Sequence, residues 1–406
     1  MKVLFLHPKF PGQFWRLAAF LARDAGNQVI FITEQKEDRL AGVNKIVYEL
    51  PAKGAPPHPF LGKAELSVLH SYAAAEAATA LKRQGYVPDV VYGYAGAWSN
   101  ALFIRDVFPD TPLLGYFEWF VESRGGEYNF DPAFPLTSDQ EYAVRCSNVA
   151  NWVVLHACSR GVSPTEWQRS RFPREFQGKI DVIFDGVDTE YYKPDSTAVL
   201  TVPATGASFS AADEVVTYAT RGMEPMRGFL QFMEAAALIQ QRRPRCHIVV
   251  AGSDGAWYSK GAEGNRTHKD MMMERFPFDL ARLHFTGWLS RDQYRQLLRV
   301  SSAHVYLTRP YVLSWSAMEA LATGCVVVGS STPPVTEMIR HGDNGLLADF
   351  FSPADIAEKV CCALANREDM RAIRGNARAL ICERYSLPAV LPRQVALLKR
   401  LAGGGA

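Results

Sequence analysis

The feature that most constrains this sequence is a short apolar run that keeps recurring, bounded by turn residues and separated by stretches of helical spacing. In the first half the runs fall at 3–6, 28–33, 45–50, 89–92, 112–117, 151–155 and 179–184. In the second half they fall at 215–219, 247–251, 283–286, 303–307 and 325–329. Between them, Phe14, Leu17, Ala18 and Leu21 share one helical face, and 66–83, 165–171, 229–241, 291–300 and 316–322 carry a similar period. Short runs that are mostly apolar, without strict alternation, suit strands buried on both faces of a parallel sheet. Their alternation with helices predicts open α/β sheets with right-handed crossovers.

The alternation lapses once. Residues 195–213 are rich in Ser, Thr, Ala, Pro and Gly with little periodicity, which reads as a linker. A chain of 406 residues also exceeds one comfortable core. The expectation is an α/β chain of two Rossmann-like domains, 1–195 and 214–385. A last helix within 386–402 is expected to cross back to the first. A net charge of +2 argues against nucleic acid as a partner, whereas a small anion remains compatible. The seven cysteines form no CxxC pair and have no histidine spacing around them, so neither a zinc site nor a disulfide framework is expected. The opening MKVLFLHPKF is too short an apolar run for a signal peptide, and no window reaches the roughly 20 apolar residues of a membrane span. A soluble, cytoplasmic protein is expected, with peripheral membrane contact left open.

Ligands of open α/β sheets bind at the carboxyl ends of strands, which singles out three loops. In 7–13, Gly12 enters the first helix and lets backbone N–H groups approach an anion, or simply makes a tight turn. The loop is not GxGxxG, which disfavours a dinucleotide redox cofactor. In 220–228, Arg221 and Arg227 flank a glycine-containing loop ahead of a helix, an arrangement that suits a diphosphate. In 309–324, a loop running to Trp315 offers the amides of Leu313 and Ser314, and a helix is expected to carry Glu319 in its first turn. There Glu319 could accept hydrogen bonds from sugar or ribose hydroxyls, or merely complement the helix dipole.

The third loop also carries a resemblance. Glu319-Ala320-Leu321-Ala322-Thr323-Gly324, the apolar 326–328, Glu337 and Gly342-Asp343-Asn344-Gly345-Leu346-Leu347 resemble the retaining glycosyltransferases of family 4, which have the two-domain GT-B fold. Phe184-Asp185-Gly186-Val187-Asp188 and Tyr192-Lys193-Pro194 are similar to that family's exit from its first domain. The resemblance implies two Rossmann-like domains facing across a cleft, the first binding the acceptor and the second a nucleotide-sugar. It implies Glu319 at the ribose, Arg221 and Arg227 at the donor diphosphate, and the Leu313 and Ser314 amides at the phosphate and sugar. Gly287, Trp288 and Leu289 would hold the base, and Gly12 would approach donor or acceptor.

Three positions depart from the family pattern. Tyr311 stands where the first Glu of the signature contacts the transferred sugar, and Arg227 stands where Lys is common. The segment Gly115-Tyr116-Phe117-Glu118 replaces one that often holds His, making Glu118 either a polar contact to sugar or acceptor or an ordinary strand-end acid. No DxD motif has a fitting context, and the arginines with the helix dipole can stabilise a leaving diphosphate. No metal or other cofactor is therefore expected. The implied reaction moves a sugar with retention from a nucleoside-diphosphate sugar, UDP- or GDP-linked, to a hydroxyl-bearing acceptor. The alternatives are a nucleotide-sugar epimerase of the same fold and a catalytically degenerate nucleotide-binding scaffold.

Overall fold

The computed structural model describes residues 1–51, 54, 58–259, 261–262, 264 and 266–404. The chain divides into two compact units, Met1–Gly186 joined by the segment from Leu387 onward, and Val187–Ser386.

In the first unit, strands β1 (Lys2–Leu6), β2 (Gln28–Thr33), β3 (Val43–Val47), β4 (Val90–Tyr94), β5 (Leu113–Tyr116), β6 (Arg160–Ser163) and β7 (Ile180–Val182) form one parallel sheet. Their order is β3-β2-β1-β4-β5-β6-β7. The strand period of two sorts each strand between two cores. Leu4, Leu6, Ile30, Ile32 and Val91 enter one, while Val3, Phe5, Val29, Phe31, Val90 and Tyr92 enter the other. The second core is completed by the helices Trp15–Ala22 and Leu387–Ala402, the latter burying Val390, Leu391, Leu397, Leu398 and Leu401.

The run at 151–155, expected as a strand, is part of the helix Val149–Ala157, and the strand is β6. Ala150, Asn151, Val154 and Leu155 are buried at helical spacing, while Val149, Trp152 and Val153 are exposed although apolar. Apolar residues on the exposed face hid the helical period. A five-residue apolar run cannot by itself separate strand from helix.

In the second unit, β8 (Val199–Thr201) and β9 (Ser208–Ser210) make an antiparallel hairpin. The parallel sheet comprises β10 (Val215–Gly222), β11 (His247–Ser253), β12 (Leu283–Gly287), β13 (Ala303–Tyr306), β14 (Val327–Ser330) and β15 (Leu346–Ala348), ordered β12-β11-β10-β13-β14-β15. Residues 195–213 are thus no free linker. Ala198, Leu200, Val202 and Phe209 are buried against Val215, Val249, Ala251, Leu297 and Val300, and the first unit ends at Gly186. Three-residue strands flanked by polar residues leave too little alternation to be read.

Each large sheet has one place where successive connections leave in opposite directions, between β1 and β4 in the first and between β10 and β13 in the second. Loops diverge there and leave a crevice at the carboxyl ends.

Candidate functional site

In the second unit the crevice is walled by the loops that follow β10 and β13. After β10 the chain makes a 3-10 turn, Pro225–Arg227, then Gly228 at φ +65° and the helix Phe229–Arg242. A Cβ on Gly228 would lie 2.6 Å from Leu307 Cβ, so only glycine allows this helix to start against β13. The turn drives Arg227 inward to 8% exposure. Its Nη1 donates to Thr308 Oγ1 (2.8 Å), the Val312 carbonyl (3.1 Å) and the Tyr306 hydroxyl (3.2 Å). The rings of Tyr311 and Tyr258 lie 5.6 and 5.7 Å from the guanidinium carbon. Nε and Nη2 make no hydrogen bond to a described residue, and no described carboxylate pairs with this cation. Burial works against its charge, yet the surrounding hydroxyls of Tyr306, Tyr258, Tyr311 and Tyr218 prevail and raise its pKa.

Arg221 is exposed and lies over the Trp257 ring at 5.4 Å. Across the crevice, the Ser314 amide, expected to face a phosphate, instead donates to the Tyr306 hydroxyl at 3.0 Å. The Ser314 hydroxyl shares a hydrogen bond with that of Ser316. Leu313 buries its side chain, and its amide has no described partner.

Glu319 does not lie in the first turn of its helix. The helix is Trp315–Ala322, with Ser314 at the N-cap position, which places this acid in the second turn. Dipole complementarity fades beyond the first turn, so that explanation of the residue weakens. Glu319 is buried, and its charge is felt by Tyr192, Arg291 and Tyr294. Burial first, and Glu319 second, push the Tyr192 and Tyr294 hydroxyls above their usual range. Gly287 ends β12 at φ +66°, Trp288 is 65% exposed, and Leu289 packs on the core beneath the β8–β9 hairpin. Ser290 then caps the helix Arg291–Val300, which carries Arg291 and Tyr294 toward Glu319.

The structure therefore gathers Arg221, Arg227, Tyr311, Leu313 and Ser314 at the switch point, with Glu319 on the adjoining helix. Gly287, Trp288 and Leu289 stand at the outer strand, from which the helix Arg291–Val300 leads toward Glu319.

In the first unit, His7 follows β1 and Glu118 follows β5. Gly12 has φ +53°, and a Cβ there would meet His7 Cε1 at 2.9 Å, so the loop can fold onto the imidazole only as glycine. Burial holds the His7 pKa down at about 4, and its Nδ1 accepts from the Lys9 amide. Glu118 accepts from Gln13 Nε2 (3.0 Å) through one oxygen and from the Tyr94 hydroxyl (3.1 Å) through the other.

Sequence reasoning missed Tyr306, Thr308, Tyr258, Gln13 and Tyr94. Tyr306 sits inside an apolar strand and reads as core, and its hydroxyl becomes informative only beside Arg227. Among the described residues no group of three or more His, Cys, Asp or Glu is placed to hold a metal ion, and no helix is long and apolar enough to cross a membrane.

Two family descriptions match in succession: the glycosyl transferase family 4 group over residues 25–192 and the glycosyl transferases group 1 over residues 208–380. The chain is a group 1 glycosyltransferase of the family 4 type. Solved structures share the GT-B fold of this glycosyltransferase along nearly its whole length. Anabaena HepE, solved with UDP-glucose, is 16% identical with a TM-score of 0.67, covering 98% of this chain and 99% of that one. The sucrose-phosphate synthase of Thermosynechococcus elongatus is 14% identical with a TM-score of 0.75, covering 99% of both. Among curated proteins, the uncharacterized glycosyltransferase YqgM of Bacillus subtilis is 23% identical over 184 residues, 45% of this chain. The glycosyltransferase thus spans about half, 48%, of that relative's length.

Proposed function

We propose that this glycosyltransferase is a retaining, metal-independent enzyme that moves a sugar from a UDP- or GDP-sugar to a hydroxyl-bearing acceptor. The observation that carries the reading is Arg227: a buried guanidinium, at the switch point beside a helix N-terminus, with two nitrogens unused and no carboxylate partner among the described residues. Burying an unpaired charge is costly, and an anionic ligand that pairs with it recovers that cost. Arg221 adds a second cation for the other phosphate. HepE, which shares this fold, has been solved with UDP and glucose and with UDP-glucose, which supports a nucleotide-sugar as the anion.

In this reading Glu319 receives the ribose hydroxyls, Gly287, Trp288 and Leu289 border the base, and the Leu313 amide with the Ser314 hydroxyl meets the phosphate and transferred sugar. Tyr311 lines the sugar position. The first domain serves the acceptor, with Gly12 giving close backbone approach and Glu118 a polar contact. The bond between the anomeric carbon and the diphosphate oxygen breaks, Arg221 and Arg227 take up the developing charge, and the acceptor oxygen bonds to the same face of an oxocarbenium-like sugar. The leaving phosphate accepts the acceptor proton, so no side-chain base is assigned.

The test is incubation with a panel of UDP-, GDP-, ADP-, TDP- and CMP-sugars in a strong chelator, with product anomers read by NMR. A transferred sugar of donor configuration supports the proposal. An inverted product, an isomerised free donor or a strict need for a divalent ion would each refute part of it.

A further inference from the structure

The loop that carries the two arginines also contains a carboxylate to which the proposed chemistry gives no task. Glu224 is fully buried, lies between Arg221 and Arg227, and accepts through Oε2 from the backbone amides of Tyr258 (2.9 Å) and Ser259 (2.6 Å). Those residues belong to the turn that follows β11. This turn presents an aromatic ring to each arginine: Trp257 beneath Arg221, and Tyr258 beside Arg227, whose other ring neighbour is Tyr311.

Three further contacts register the turn against the arginine loop. The Met223 amide donates to the Ser253 carbonyl at 3.0 Å. Ser253 Oγ donates to the Arg221 carbonyl at 2.8 Å and accepts from the Trp257 indole N–H at 3.0 Å, tying that ring to the backbone of the arginine it underlies. A Cβ on Gly222 would meet the Gly255 carbonyl oxygen at 2.3 Å and Trp257 Cδ1 at 2.6 Å, so the absence of a side chain there lets the turn close. Trp257 is nonetheless 58% exposed, and burial of its own ring does not explain why it is held so firmly.

We infer that Glu224 is a positioning residue for the donor site, acting through the 253–259 turn to set both arginines of the diphosphate clamp. A carboxylate bonded to two amides holds a turn more firmly than a neutral acceptor. The gripped turn places an aromatic face against each guanidinium, where cation–π attraction limits its swing. Both cations are thereby fixed before an anion arrives, and a preorganised site spends less of its binding energy on ordering side chains. The inference rests on Arg221 and Arg227 being the diphosphate ligands.

Comparing UDP with UMP, and GDP with GMP, by calorimetry tests it in wild-type protein, Glu224→Gln and Glu224→Ala. Glu224→Gln keeps a carbonyl acceptor and loses the charge, and should cut the diphosphate-over-monophosphate preference about tenfold, while Glu224→Ala should cut it further. Monophosphate affinity should stay near wild type in both, which a general loosening of the domain would not permit. Trp257→Leu and Tyr258→Leu change exposed rings and provide the same readout if Glu224→Ala fails to fold. An undiminished preference in Glu224→Gln and both ring variants, or a parallel loss of monophosphate and diphosphate affinity, overturns the positioning role. Wild-type protein that binds none of the four nucleotides overturns the reading of a UDP- or GDP-sugar donor on which the inference rests.

Discussion

Replacing Arg227 by methionine should separate ligand binding from stability, because the structure sets the two effects against each other. The substitution keeps side-chain length and removes the charge. It forfeits the three Nη1 hydrogen bonds to Tyr306, Thr308 and Val312, worth about 1 kcal/mol each in net terms. It also removes a buried cation that no described carboxylate neutralises, a burden of a few kcal/mol. The two contributions are opposite in sign and similar in size, so apo stability should change by no more than about 1–2 kcal/mol, or roughly 2–8 °C. Ligand binding has no such compensation. Two charge-assisted hydrogen bonds to a diphosphate are worth about 3–5 kcal/mol together, a loss of about 10²–10⁴ in affinity. A thermal-shift assay reads both quantities. At about 100 times the wild-type Kd a nucleotide adds about 2.7 kcal/mol of stability, a rise of roughly 5–10 °C, and the same concentration should move Arg227→Met by less than about 1 °C. If apo protein loses several kcal/mol while the ligand-induced shift survives, Arg227 is a structural residue and the argument from its unpaired charge fails.

Other expectations follow from the same geometry. Glu319→Ala should weaken nucleotide binding by about 1–3 kcal/mol with folding retained, whereas an unchanged Kd would remove Glu319 from the ribose. Gly12→Ala places a Cβ against the His7 ring at φ +53° and should cost about 1–3 kcal/mol, visible as a lower Tm; an unaltered Tm would show that the loop relaxes freely. Turnover should persist in EDTA, and loss restored by a divalent ion would reverse the metal-free assignment. Burial pushes the Glu127 carboxyl up to about 7 from its usual 4.5, so its protonated form favours folding. That contribution is full below about 4.5 and fades as pH rises through about 7, by at most about 3 kcal/mol. Glu127→Gln should therefore gain stability on wild type as pH increases across that window, and parallel pH profiles would contradict the assignment.

The sheets were legible because strands buried on both faces leave unbroken apolar runs, as at 29–32 or 248–251. The helix Val149–Ala157 was not, because its exposed Trp152 and Val153 erase the amphipathic contrast. The β8–β9 hairpin was not, because its strands hold three residues each. In the site, the loop glycines and arginines stand out at strand ends. The groups beside them do not: Tyr306 is disguised as core, and Tyr258 meets Arg227 from 31 positions away only after folding. The Ser314 amide also shows that a residue can be rightly placed in a loop while its donor is already engaged.

The helix Leu387–Ala402 has a consequence for how the molecule is made. Because it completes the core behind β1, β2 and β4, the first unit is interrupted, with all of Val187–Ser386 inserted between its two portions. The points of departure and return lie side by side, the Val187 amide donating to the Tyr385 carbonyl at 2.7 Å and Val187 bridging to Ser386. During synthesis the inserted unit has its full complement of strands and helices while the first still awaits its closing helix. The order of completion therefore runs against the order of the sequence. A stop codon near 386 would leave the inserted unit whole and the amino-terminal unit with one flank of its core open to solvent.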